Sequence, residues 1–215
     1  MVGHGTEGVP HGLIHDSIGA IFIPEASVDS LWAVVHDYDQ YQQMYRPVVT
    51  SSKTLACTDT SQEFRMVWQR KVLFVSAAMQ GLYQSHDVTL DARRGYSIAE
   101  AVEIREIEGY GHPGERLLPP NTGSGFIWRI RTVAPYEERD GGVYLELEAM
   151  ALTRDIPASL AWIVKPVVNH LSIDSLITTL RQTREAVNSW HHGLEGLASC
   201  PVPDRGSNLA KAGGE

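Results

Sequence analysis

Along this chain the spacing of apolar positions changes three times. Leu13–Ile23 is rich in Ile and Phe, reads as a strand and stops at Pro24. In Val28–His36, the residues Val28, Leu31, Trp32, Val34 and Val35 recur at helical spacing, with Ser27 or Asp29 placed to cap the start. A polar, aromatic stretch from Asp37 to Tyr45 predicts a second short helix, ended by Pro47. Strand-like runs follow near 48–56, 62–74, 75–90 and 96–108. Then Gly125–Tyr136 and Val143–Thr153 flank Asp140-Gly141, a favoured tight-turn pair. In that hairpin Phe126, Trp128 and Ile130 share a face with Val143, Leu145, Leu147 and Ala149. The other face carries Arg129, Arg131, Glu146 and Glu148, so one side belongs to a core and the other to water.

The last pattern is a long helix over Pro157–Trp190. Asp155 stands at its cap position, and its stripe comprises Leu160, Ile163, Val164, Val167 and Leu171, resuming at Leu176, Leu180 and Val187. Pro166 and the region of Ser172 are expected to kink it into two pieces. One long helix after a series of antiparallel strands buries its stripe across the concave face of the sheet. The expected class is α+β: a curved antiparallel sheet around a long, kinked C-terminal helix, with two short helices after the first strand. A sheet gripping one helix leaves a hollow, and hollows bind small apolar molecules.

Composition narrows the partners. The 215 residues, 43% hydrophobic, suit one sizeable core, placed here at residues 13–190. Residues 1–12 and 191–215, rich in Gly and Pro, read as flexible tails. A formal net charge of −8 argues against nucleic acid and against an anionic membrane surface. No run of apolar residues is long enough to span a bilayer, and the N-terminus does not read as a signal peptide. Cys57 and Cys200 give no disulfide framework, so two reduced thiols and a cytoplasmic address are the default reading. An exported protein that has lost its leader reads the same. Oligomeric state is not encoded in any pattern found.

Two phrases resemble a known family. "IFIPEASVDSLWAVVHDYDQYQQMYRPVV" is similar to the strand, proline, helix, Asp-aromatic, Pro sequence of the START-like (SRPBCC) superfamily. "ALTRDIPASLAWIVKPVVNHLSIDSLITTLRQTREAV" is similar to its strand-to-helix junction, around Ile156-Pro157. The resemblance covers most of residues 13–190 and implies the helix-grip fold. Its motifs belong to packing and turns, so they carry the fold and not an activity. The superfamily includes lipid and sterol carriers, binders of hydrophobic ligands, and polyketide cyclases and aromatases, and uncharacterised bacterial members are the nearest in character.

The residues offer little reaction chemistry. His4, His11 and His15 near the start and His191-His192 near the end lack the stiff frame of three or four ligands that a metal needs, so neither metal nor cofactor is expected. Ser85-His86-Asp87 holds triad letters, but strand neighbours point to opposite faces. Asn121–Phe126 is glycine-rich yet opens no helix, so it reads as a loop. Asp37 and Asp39 read as caps and turn formers. The candidates for lining a hollow are Trp68, Tyr83, His86, Glu100, Trp128 and, from the helix side, Trp162. Trp68 and Trp128 alternate in phase with Phe64 and Ile130 and so face inward, where core filling explains them as well as ligand stacking does. Tyr83 offers a hydroxyl on an apolar body. His86 would serve acid–base chemistry if buried, although an exposed strand histidine is the commoner case. Glu100 lies in a strand of ambiguous phase, where Ile98, Val102 and Ile104 compete with Ala99, Ala101 and Ile107. The reading favoured is a non-catalytic binder or carrier of a hydrophobic, lipid-like small molecule. The alternatives are a cyclase, aromatase or dehydratase using the same hollow, and an interaction module whose hollow is filled by its own side chains.

Overall fold

A computed structural model describes residues 2–58, 60–72, 75–123, 127–154 and 158–190; side chains 71–72, 75–76, 158–172 and 190 are outside the description. The strands are β1 Val2–Val9, β2 Gly12–Pro24, β3 Val49–Cys57, β4 Ser61–Val72, β5 Val75–Thr89, β6 Arg94–Glu108, β7 Arg116–Leu117, β8 Arg129–Arg139 and β9 Gly142–Arg154. The helices are α1 Val28–Val35, α2 Tyr41–Met44 and α3 Ala158–Trp190, with a 3₁₀ turn at Tyr38–Gln40 leading into α2. All strands join one antiparallel sheet in the order β1-β2-β9-β8-β6-β5-β4-β3, and β7 adds to β6. A long helix and short helices on one side of this sheet make the helix-grip α+β fold.

Local chemistry explains the boundaries. Ser27 Oγ accepts from Ser30 N while Ser30 Oγ accepts from Ser27 N, a reciprocal cap that starts α1. Asp140 and Gly141 both have positive φ, at 56° and 76°, the combination a two-residue turn needs to match the twist of β8 and β9. Asp39 Oδ1 accepts from Thr54 N at 2.7 Å, fastening the 3₁₀ turn to β3.

Three expectations change. Residues 2–9 form β1, paired along β2 from Val2↔Gly19 to Val9↔Gly12. A strand edge recruits backbone whatever the side chains are, so a glycine-rich segment without periodicity still pairs. α3 is continuous from Ala158 to Trp190 through Pro166 and Ser172. A proline forfeits one backbone bond, and the turns on either side continue the helix. Cys57 is disulfide-bonded, against the expectation of reduced thiols. Pairing depends on tertiary approach, which spacing does not encode; the other cysteine, Cys200, lies outside the described residues. The cap position Asp155 also lies outside them.

One core joins α1, β2, β9 and the second half of α3. Ile23, Leu31, Trp32, Val143, Leu176, Leu180 and Val187 are all buried there. Leu176 and Leu180 sit directly on Gly19, where an added Cβ would lie 3.0 and 3.1 Å from their methyl carbons.

Candidate functional site: the concave face of the sheet

The floor of the bowl follows from strand parity and ladder register. One row of paired residues crosses the sheet: His4, Ser17, Ala149, Thr132, Ala99, Ser85 and Gln62. Paired residues of an antiparallel ladder share a face, and Ser17 lies two residues from Gly19 beneath α3, so this face is the concave one. Its centre is built of small side chains. Ala99, Thr132, Ala149 and Ala151 are only half-buried, although β6, β8 and β9 are interior strands. By contrast Val143 and Leu145, further along the same face of β9 under α3, are fully covered.

At the β4–β5 end the floor is aromatic. The Tyr38 ring stacks on Phe64 at 3.9 Å, and Phe64 stacks on Tyr83 at 5.0 Å. Trp68 Nε1 donates to Tyr83 Oη at 3.1 Å. Burial pushes the Tyr83 phenol up to about 12, with the Trp68 hydrogen bond opposing, so it stays neutral. Because its oxygen accepts from Trp68, the Tyr83 O–H proton remains for another acceptor.

Beneath the short helices runs a buried polar chain. Tyr38 Oη and Ser85 Oγ lie 2.8 Å apart, and Ser85 Oγ donates to Gln62 Oε1 at 2.8 Å. Gln62 Nε2 donates to Asp87 Oδ2 at 3.3 Å, and His36 Nε2 lies 3.1 Å from that oxygen without hydrogen-bond alignment. Since the Ser85 proton goes to Gln62, Tyr38 must donate to Ser85. Every donor in the chain then points toward the Asp87 carboxylate. Burial raises the Tyr38 pKa, which keeps that donor in place.

The sequence-derived residues divide. Trp68 and Tyr83 lie together on the floor. His86 is exposed on the convex face, as strand alternation requires of a neighbour of buried Ser85. Glu100 is exposed there too, pairing with Arg131 at 3.1 Å. Trp128 precedes β8 and is half-buried, with the Arg154 guanidinium 4.7 Å above its ring. Its backbone N–H donates to the Leu152 carbonyl at 2.8 Å, just ahead of the first β8 residue, Arg129. The Trp162 side chain lies outside the described residues. Neither proposed phase of β6 holds throughout. The ladder pairs Tyr83 with Ala101 and Leu82 with Glu103, so Val102 is an extra residue, a β-bulge. Odd positions up to Ala101 face inward, and Ile104, paired with Gly81, faces inward after it.

Sequence reasoning missed several polar groups. Arg70 continues the inward parity of Phe64, Met66 and Trp68, which was the available signal. Its guanidinium hydrogen-bonds Ser175 on α3, and burial lowers its pKa against the opposing pull of Asp174. His36 and Gln62 carried no motif and Asp87 stood only among the discounted triad letters, because helix and sheet bring the three together from distant positions. Among the described residues, no three His, Cys, Asp or Glu side chains are placed to hold a metal ion, and no helix is long and apolar enough to cross a membrane.

No family model matches the chain, and no curated protein matches it. Solved structures do. A STAR-related lipid transfer protein from Xanthomonas axonopodis is 17% identical, with a TM-score of 0.54, over 86% of this chain and 99% of that one. The Zhui aromatase/cyclase from a Streptomyces species is 11% identical, with a TM-score of 0.55, over 86% of this chain and 99% of that one. Human STARD10 is 9% identical, with a TM-score of 0.53, over 91% of this chain and 79% of that one. Identities this low speak to architecture alone. The chain has the START-like (SRPBCC) helix-grip fold.

Proposed function

We propose that the protein binds, and in doing so carries, an elongated hydrophobic small molecule between the concave face and α3, with residues 2–190 acting as one unit. The observation that supports this reading is the half-buried strip of small residues, Ala99, Thr132, Ala149 and Ala151, at the centre of a sheet whose neighbouring floor is fully covered. At ~25 cal/mol per Å², enclosing a few hundred Å² of ligand offsets the cost of association and leaves micromolar binding. Trp68 and Tyr83 line the aromatic end, Tyr83 offering its hydroxyl proton to an acceptor on the ligand. The Xanthomonas axonopodis neighbour named for lipid transfer agrees with this use of the fold.

A cyclase or dehydratase reading draws on the neighbour named an aromatase/cyclase and on two donors, Tyr83 and Arg70, facing the same hollow. Proton shuttling also needs an acid and a base aimed at one substrate atom. His86 and Glu100 project into solvent on the other side, which favours the binder. The disulfide at Cys57 favours an oxidising compartment, the exported alternative, over the cytoplasm.

Native mass spectrometry of the purified chain tests the main reading. A co-purified lipid-sized adduct, released on denaturation, is the expected result. Absence of any adduct, joined to no thermal shift across a panel of fatty acids, isoprenoids and sterols, would overturn it.

A further inference from the structure

We infer that His15 is a hydrogen-bond acceptor built into the floor of this pocket, and that it selects apolar ligands bearing a hydroxyl or N–H donor. The inference rests on the ligand-binding reading above. His15 lies on the concave face of β2, opposite Ala151 on β9 and Thr6 on β1, and is only 4% exposed. Its Nε2 lies 3.1 Å from Thr153 Oγ1. Thr153 has one hydroxyl proton and gives it to the Leu13 carbonyl at 3.4 Å. Thr153 Oγ1 must therefore accept from His15, which places the imidazole proton on Nε2 and a lone pair on Nδ1.

That Nδ1 is buried and has no hydrogen-bond partner among the described residues. Buried acceptors are nearly always paired, so a bare one on the concave face, beside the half-buried Ala149 and Ala151, marks a place for a donor. Among the described residues, the surrounding polar groups do not supply it. His4 stacks beside His15 at 6.2 Å, but its Nδ1 is engaged with Ser17 Oγ at 2.9 Å and its Nε2 with Thr6 Oγ1 at 3.3 Å. A second proton on His15 is opposed by burial and then by His4, so the ring accepts and does not donate on that side. The adjoining floor, Ala149 and Ala151, is small enough to let a ligand group approach. A neutral alcohol, phenol or amide N–H satisfies Nδ1, whereas a carboxylate has only lone pairs to offer it.

The test compares decanol, decyl methyl ether and decanoate on the full chain, by displacement of a fluorescent apolar probe. The alcohol should bind about tenfold more tightly than the ether, the difference one buried hydrogen bond makes. Decanoate should show no advantage over the ether. In His15→Leu the alcohol should lose its advantage over the ether. In His15→Gln, which keeps an amide donor for Thr153 and an oxygen acceptor, the preference should survive. Equal binding of alcohol and ether by the unmodified protein overturns the anchor and leaves the pocket standing. A preference that persists in His15→Leu also overturns it. Should His15→Leu fail to fold, the unmodified chain and His15→Gln still decide. Binding of none of the three compounds overturns the pocket reading itself.

Discussion

Ser85 serves two partners with one hydroxyl, donating to Gln62 and accepting from Tyr38, with no exposure to water. Replacing it with Ala strands both, and a stranded buried polar group costs about 1–3 kcal/mol. Urea unfolding of Ser85→Ala should show a loss of that size, whereas His86→Ala next to it should stay within about 0.5 kcal/mol. Equal effects at the two positions would mean that β5 is turned over. Parity made Trp68 legible as a floor residue, whereas Tyr83 was named for its hydroxyl alone, and His86 was kept as a candidate although alternation sets it against Ser85. Glu100 was not legible because an extra residue at Val102 breaks the count, and no composition cue marks a bulge.

Among the elements, α3 rests on the backbone of β2 at Gly19, with Leu176 and Leu180 against it. A side chain there acts as a wedge between helix and sheet. Gly19→Val should lower stability by about 1–3 kcal/mol, the usual cost of overpacking, and should increase binding of a hydrophobic dye as the grip loosens. Thermal denaturation with dye fluorescence reads both effects. Most elements were visible in the hydrophobic pattern, from the capped α1 to the β8–β9 hairpin with its Asp140-Gly141 turn. β1 escaped because its pairing is made by backbone, with Gly3, Gly5 and Gly8 giving no side-chain rhythm. The unbroken course of α3 escaped because proline was weighed as a local breaker, while flanking turns carry the helix past it.

For the molecule as a whole, buried ionisable groups set a working range of pH. His15 is held neutral, its pKa lowered from 6.5 by burial and then by His4. The unfolded chain takes up that proton first, so stability is complete above about 6.5 and is lost as pH falls toward the folded value. Tyr38, Tyr41, Tyr45 and Tyr83 behave oppositely: burial raises each above 10.0. Their contribution is complete below about pH 10 and is lost as the unfolded tyrosines ionise above it. Denaturant-derived stability should therefore be level between these limits and fall outside them, by up to about 1.4 kcal/mol per pH unit for each group. His15→Gln should flatten the first part of the acid limb without touching the alkaline one. A profile unchanged by that substitution would place His15 in water.

The extra residue in β6 reaches further than the parity it disturbs. Val102 is 44% exposed and has no partner of its own across the ladder, yet a bulge bends and over-twists the strand that carries it. Excising it would leave Ala101 opposite Tyr83 and Ile104 opposite Gly81, so the same atoms would face inward from a straighter wall. The contour of the hollow and its chemical surface are thus written in separate residues, and a lineage could reshape the one without rewriting the other.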